Sequence, residues 1–453
     1  MSGLVGHGIG NVQDLPVPAW LFYWGAGIVL VASFTALGSL WRQPLLARYG
    51  QGRPLLRPLA AATSRPARML LQLLSVVLFV AVWAAALLGT DDPLANIAPT
   101  WIYVTFWLGV PLLAVLFGDV WRVLSPWRAL ADGFVWVRER SGRGARPLAV
   151  YPAGLGRWPG AAALFGFVAL ELAYYDPSSP RVLAFAIAVY SYITLLGMAA
   201  YGRDTWTANG EAFAVLFGLF ARLSPFRIAE GRPRLRLPAS GLAGEERTPG
   251  TTAFVAVMLG SVAFDGFSRT TTWQDLVADV QAPYVLVNPT LADLLGMGLA
   301  IGGLVVAAGL VGVSYIAACR LAGSSVRDGG SLVPDFLLSL VPIAFVYEVA
   351  HYFSLLVLQG QFTITHISDP LGRGWDLFGT ADFTPNLALL SPNLVWYVQA
   401  SALVLGHMVG LMVAHDRAIA RFPARSDALR SQYAMLALMV LYTLGGLWIL
   451  SRG

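Results

Sequence analysis

Ten apolar runs alternate with polar stretches along the chain, over residues 19–40, 69–89, 100–121, 158–175, 182–201, 251–268, 290–318, 332–358, 393–416 and 431–450. Crossing a bilayer as a helix takes roughly 20 apolar residues, and these runs reach or approach that length. The pattern predicts an all-α fold, a polytopic transmembrane helix bundle of about ten spans. A tail, 1–18, precedes the first span. Spans one to five fill 19–201. An Arg-rich segment, 202–250, separates them from spans six to ten in 251–453, which include a long loop at 359–392.

Composition narrows the class. The chain is 57% hydrophobic and 12% charged, whereas soluble domains carry about 25% charged residues. So few charges cannot coat a globular surface, which excludes a soluble enzyme, a disordered chain and a secreted disulfide scaffold. The single cysteine, Cys319, leaves no internal disulfide and no CxxC motif. All 30 basic residues are arginine, so neither Schiff-base nor P-loop chemistry has its lysine. A lysine-free chain rich in Ala, Gly, Leu and Arg points to a GC-rich bacterial genome and thus to the bacterial cytoplasmic membrane. The first apolar run is long enough to span and has no A-x-A site after it, so it reads as an uncleaved helix.

The arginines predict orientation. Six lie between spans one and two, seven between three and four, seven between five and six, two after span seven and four after span nine. Only Arg181, Arg269, Arg373 and Arg452 fall on the other side. Positive charge is retained on the cytoplasmic side, so both termini are expected outside. The net charge of +5 is then a topology signal. No nucleic-acid motif accompanies it, and the expected surroundings are the lipid bilayer. A protein partner could dock on the outer loop or the Arg-rich inner loops. Two inner stretches, 127–137 and 212–228, are apolar and basic enough to lie along the inner interface or to pack on the bundle as loop helices.

One internal echo stands out. Residues 114–128 read AVLFGDVWRVLSPWR and residues 214–227 read AVLFGLFARLSPFR. It fits either a repeated helix-to-loop exit ended by Ser-Pro or a duplicated half of the kind that builds transporters.

Ionisable groups inside a membrane are costly and are functional candidates by default. Four of the five histidines cluster within residues 351–415. Glu348 and His351 form an ExxH pair that shares one helix face. His407 lies deep in span nine; His415 and Asp416 lie at its inner edge, suited to a relay or to a salt-bridge role at the helix C-terminus. At 1.5 Å per residue, His351 sits roughly 10 Å below the outer loop, Glu348 roughly 15 Å and His407 roughly 20 Å. His366 lies in the loop above, and Asp265 and Glu171 reach similar outer depths. Glu348, His351, His366, His407 and Asp265 therefore form a candidate site for a divalent metal such as Zn, Cu or Fe. Interhelical hydrogen bonding is the alternative reading of the same residues. The loop HISDPLGRGWDLFGTADFTPN adds Asp369, Asp376 and Trp375, and its length marks a lid, a binding loop or a sealing cap. His7 and Asp14 in the tail face the same side. The motifs of serine hydrolases, zincins, ATPases, nucleotide-binding Rossmann folds and c-type haem proteins are missing.

The segments HGIG…DLPVP, FGDVWRVLSPWRAL, FGLFARLSPF, AHYFSLLVLQGQ, SDPLGRGWDLFGT and WYVQ…GHMVGLMVAHDRA resemble a group of actinobacterial multispanning membrane proteins labelled fenitrothion hydrolase. The resemblance covers most of the chain and carries over no catalytic residue. It implies phosphotriester hydrolysis, a reaction that generally uses metal-activated water. Three functions thus stand as expectations: a metal-dependent membrane hydrolase, a transporter or channel for a small solute, ion or metal, and a non-catalytic membrane subunit.

Overall fold

A computed structural model describes residues 18–54, 64–142, 146–229, 232–327 and 329–450. Apart from short helices at Trp121–Leu124, Arg203–Asn209, Val333–Phe336 and Arg425–Arg430, the helices in chain order are α1 (Ala19–Leu40), α2 (Leu45–Tyr49), α3 (Arg65–Leu88), α4 (Ile97–Phe117), α5 (Pro126–Arg140), α6 (Trp158–Leu172) and α7 (Pro180–Tyr201). There follow α8 (Ala212–Phe220), α9 (Thr251–Ser268), α10 (Thr271–Gln281), α11 (Pro289–Ser324) and α12 (Leu340–Gln359). The series ends with α13 (Phe362–Ser368), α14 (Pro392–Arg421) and α15 (Tyr433–Leu450). Among the described residues strands are confined to one small antiparallel sheet in which β1 (Arg53–Pro54), β2 (Phe226–Ala229) and β3 (Arg232–Leu235) run in the order β1-β3-β2.

The chain is a multi-pass membrane protein of the all-α class, built almost wholly of helices. Among the described residues nine helices are long and apolar enough to cross a membrane, and α6 is a shorter apolar helix. Local chemistry sets their limits. Ser64, Ser125, Asn288 and Ser391 each accept a first-turn backbone N–H at a helix start, with proline at the first or second helical position. In α4, Pro111 cannot donate to its preceding turn. The chain there winds as a π-turn over Trp101–Phe106 before resuming α-helix at Gly109, a usual way to absorb an irregular ladder.

The described residues of the segment 202–250 carry helix and strand rather than a plain loop. Its α8 is not at an interface. Seven of its nine residues are buried, and Phe213 and Phe217 pack mostly edge-to-face among Phe106, Trp121, Phe167 and Tyr190. Nine residues are too few to span, so this apolar helix is stabilised by protein on all sides. Its first-turn amides are satisfied by Glu211, which accepts from Phe213 N, Ala214 N, Tyr190 Oη and Trp121 Nε1 at 2.6–3.2 Å. The two echo segments pack against each other and then diverge. Ser125 begins α5, whereas Ser224 leads into β2 and accepts from Phe226 N. Gly118 turns with φ +89°, and a Cβ there would sit 2.8 Å from the Phe226 carbonyl oxygen.

Candidate functional site

Helix α12 packs along α14 and α9, and α9 packs along α6 and α11. Where α6, α9 and α12 meet, near the end that carries the 359–392 loop, ionisable side chains collect. Asp265 on α9 is 1% exposed. Its Oδ2 accepts from His351 Nε2 at 2.8 Å and from Tyr352 Oη at 2.8 Å. Consecutive residues on a helix diverge by about 100°, so one carboxylate lying between two faces of α12 engages both. Arg269, one turn on, reaches Asp265 Oδ1 at 3.4 Å. Glu348 is 5% exposed, and its Oε1 is buried without a hydrogen-bond partner, as is Arg269 Nε. Glu171 on α6 lies within electrostatic reach of both Asp265 and Glu348. The site is therefore three carboxyls, one imidazole, one phenol and one guanidinium. Tyr352 and Arg269 were not among the residues that spacing alone singles out; their signal was adjacency to His351 and the i,i+4 relation to Asp265.

The other candidates lie elsewhere. His407 is fully buried, with Nδ1 on the Leu403 carbonyl of its own helix at 2.8 Å and its ring edge-on to Tyr347. Its Nε2 has no partner. A Cβ on the adjacent Gly406 would run into Val346, which puts His407 more than a turn deeper than His351. His366 is buried in α13 and meets the Leu94 carbonyl at 3.0 Å. Burial holds its imidazole below the usual histidine range, against the opposing pull of the Leu94 carbonyl and Asp369. Among the described residues no three His, Cys, Asp or Glu side chains are placed to hold one metal ion. The donor set Glu348, His351, His366, His407 and Asp265 thus does not converge as a whole: His351 and Asp265 meet, whereas His407 lies more than a turn deeper and His366 turns to Leu94 in the connection above. The implied metal does not fit this arrangement.

His415 and Asp416 form a latch at the end of the bundle away from the 359–392 loop. His415 places Nδ1 2.9 Å from Gln432 Oε1 and Nε2 3.1 Å from the Trp41 carbonyl. Asp416 accepts from Trp41 Nε1 at 3.1 Å and from Leu46 N and Ala47 N at 3.0 Å. It satisfies the open first turn of α2, where Pro44 offers no side-chain cap.

The 359–392 loop is a tied cap. Asp369 accepts from Arg373 N and Gly374 N, and Asp376 from Ala381 N. Thr90 N donates to Leu371 O, Ile97 N to Pro370 O and Arg373 Nη2 to Leu88 O, which fastens the loop to the α3–α4 connection. Trp375 is exposed. His7 and Asp14 lie outside the described residues. Compared with family models, curated proteins and solved structures, the chain matches none.

Proposed function

We propose that the chain is a proton-handling transporter, with the Asp265 cluster as the group that loads and releases protons in step with passage of a small solute or ion. The observation that carries this reading is the Asp265 carboxylate, buried and hydrogen-bonded to both His351 and Tyr352. Buried acidic and imidazole groups in membrane helices are the usual components of proton relays. Carboxyls crowded away from water exchange protons as a set rather than singly. His407 beside Tyr347 and then His415 extend the line along the α12–α14 interface toward the opposite edge.

The topology that goes with this reading has ten crossings, α6 counting as the short one, with both termini outside. The excess of arginine on one side of the spans supports that orientation. The membrane is then the bacterial cytoplasmic membrane, and the Asp265 cluster lies in its outer half.

Proteoliposomes containing the full chain and a trapped pH-sensitive dye test the proposal. A pH step should move protons faster than in empty vesicles, and Asp265→Asn and His351→Gln should bring the rate down to that of empty vesicles. Wild-type flux equal to empty vesicles, or full flux in Asp265→Asn, would overturn it.

A second reading is supported by the same 2.8 Å contact. A carboxylate that orients an imidazole makes a general base, which agrees with the hydrolase label of the proteins this chain resembles. Turnover of a chromogenic phosphotriester that disappears in His351→Gln would favour it over transport.

A further inference from the structure

The small sheet sets arginines against one another. In its register Arg227 on β2 lies directly opposite Arg234 on β3. Side chains alternate along a strand, so Arg232 shares their face. Directly opposed Cβ atoms in an antiparallel pair are about 5 Å apart, and like charges so placed weaken the pairing. Both guanidinium groups turn to the same neutral residue. Arg227 Nη1 donates to Gln51 Oε1 at 3.3 Å, and Arg234 Nη1 to the Gln51 carbonyl at 3.4 Å. Among the described residues no carboxylate pairs with Arg227, Arg232 or Arg234; Glu246 is already shared by Arg157 and Arg222. The excess charge is felt next door. Arg236 donates to the carbonyls of Ala221, Arg222 and Ser224 just past α8. Burial, and then Arg227 and Arg222 beside it, push its guanidinium down to about 10.

The position of the sheet says what can meet these arginines. A Cβ on Gly118 would lie 2.8 Å from the Phe226 carbonyl oxygen. Gly118 is one residue past α4, a helix long and apolar enough to cross the membrane. Such a helix ends where hydrocarbon gives way to head groups, so the start of β2 lies at head-group depth. The face of the sheet away from Arg227 and Arg234 is apolar. It carries Phe226, Ile228, Pro233 and Leu235, of which Ile228 and Leu235 are 55% and 46% exposed. An exposed apolar face backed by a basic one is the pattern of an element lying in the membrane interface. The sheet follows α2, whose first turn is held by Asp416, and so lies at the end of the bundle away from the 359–392 loop.

We propose that Arg227 and Arg234 form a binding site for the phosphate of an anionic phospholipid in the adjoining leaflet. Guanidinium forks match phosphate oxygens in geometry as well as charge. One anionic head between the two arginines also offsets the repulsion that the register imposes. The inference does not rest on the proton relay, since the Asp265 cluster lies at the other end of the bundle and lipid binding is read without any proton movement.

Equilibrium binding of fluorescent phosphatidic acid to the full chain in a neutral detergent tests it. Unlabelled phosphatidic acid should displace the probe several-fold more effectively than phosphatidylcholine with the same tails or inorganic phosphate. Arg227→Gln and Arg234→Gln should each weaken binding several-fold. Arg53→Gln, which removes the same charge from the opposite face of the sheet, should not. Each of the first two variants removes one of two opposed like charges, so without lipid it should melt no lower than the wild type. Binding unchanged in Arg227→Gln and Arg234→Gln, or weakened equally in Arg53→Gln, would overturn the proposal. So would a lower melting temperature of both variants without lipid, which would make the arginines supports of the fold. Displacement by inorganic phosphate as effective as by phosphatidic acid would assign the site to a soluble anion and overturn the lipid.

Discussion

Asp265 and His351 meet at 2.8 Å across the α9–α12 interface, with Tyr352 on the second lone pair of the same carboxylate oxygen. Removing one member of a buried charged network leaves the others unpaired, at a cost of about 3–5 kcal/mol. Asp265→Ala should therefore lower thermal stability in detergent sharply. Asp265→Asn keeps the size and one acceptor and should cost much less. Equal melting temperatures for Asp265→Ala and wild type would show that the contact contributes nothing to the fold.

At the opposite edge of the bundle, Asp416 holds three donors from the α1–α2 connection. Leaving buried donors unsatisfied costs about 1–3 kcal/mol each. Asp416→Ala should loosen residues 41–50 first, because α2 has no side-chain cap of its own. Hydrogen exchange at Leu46 and Ala47 is the direct measurement. Protection there should fall by at least the factor seen for the molecule as a whole.

Protonation of His366 should unfasten the loop. Burial keeps its folded-state pKa below the ordinary value, about 6.5. The unfolded or detached state then binds the proton more readily, so stability rises with pH through this window. Its contribution is complete above about pH 6.5 and is lost as pH falls toward the depressed folded value. Exchange protection over residues 366–380 should drop on acidification in the wild type and stay flat in His366→Gln. A pH-independent wild type would contradict this assignment.

The membrane-crossing helices were legible because hydrocarbon leaves a helix no alternative to a long apolar run. Helix α8 was legible only as one of two readings of residues 212–228, a loop helix packed on the bundle: nine apolar residues cannot span, and nothing local says that Phe106, Phe167 and Tyr190 will surround them. Glu211 escaped notice for the same reason, since its four donors come from α7, from the turn after α4 and from its own helix. Depth along a span could be computed from residue number, and it placed Asp265 near His351 correctly. It also put His407 roughly 10 Å below His351, where the ring lies beside Tyr347; azimuth could not be computed. Asp416 looked like a charge at a helix end, but Leu46, which it caps, lies 370 residues away.

The α12–α14 contact makes a final prediction that separates packing from propensity. A Cβ on Gly406 would lie 2.0 Å from Val346 Cγ2, and one on Gly410 would lie 2.8 Å from the Ser339 carbonyl oxygen. Small residues here let the two helices approach, which is how membrane helices gain packing energy. Gly309 has open space around it. Alanine is favoured over glycine within a helix by about 1 kcal/mol. Gly309→Ala should therefore leave the melting temperature unchanged or raise it. Gly406→Ala should lower it despite the same gain in propensity, since overpacking costs about 1–3 kcal/mol. It should also shift His407, visible as a changed imidazole resonance. Should both substitutions stabilise the protein, the close approach of α12 and α14 would be wrong, and with it the relay line through Tyr347 and His407.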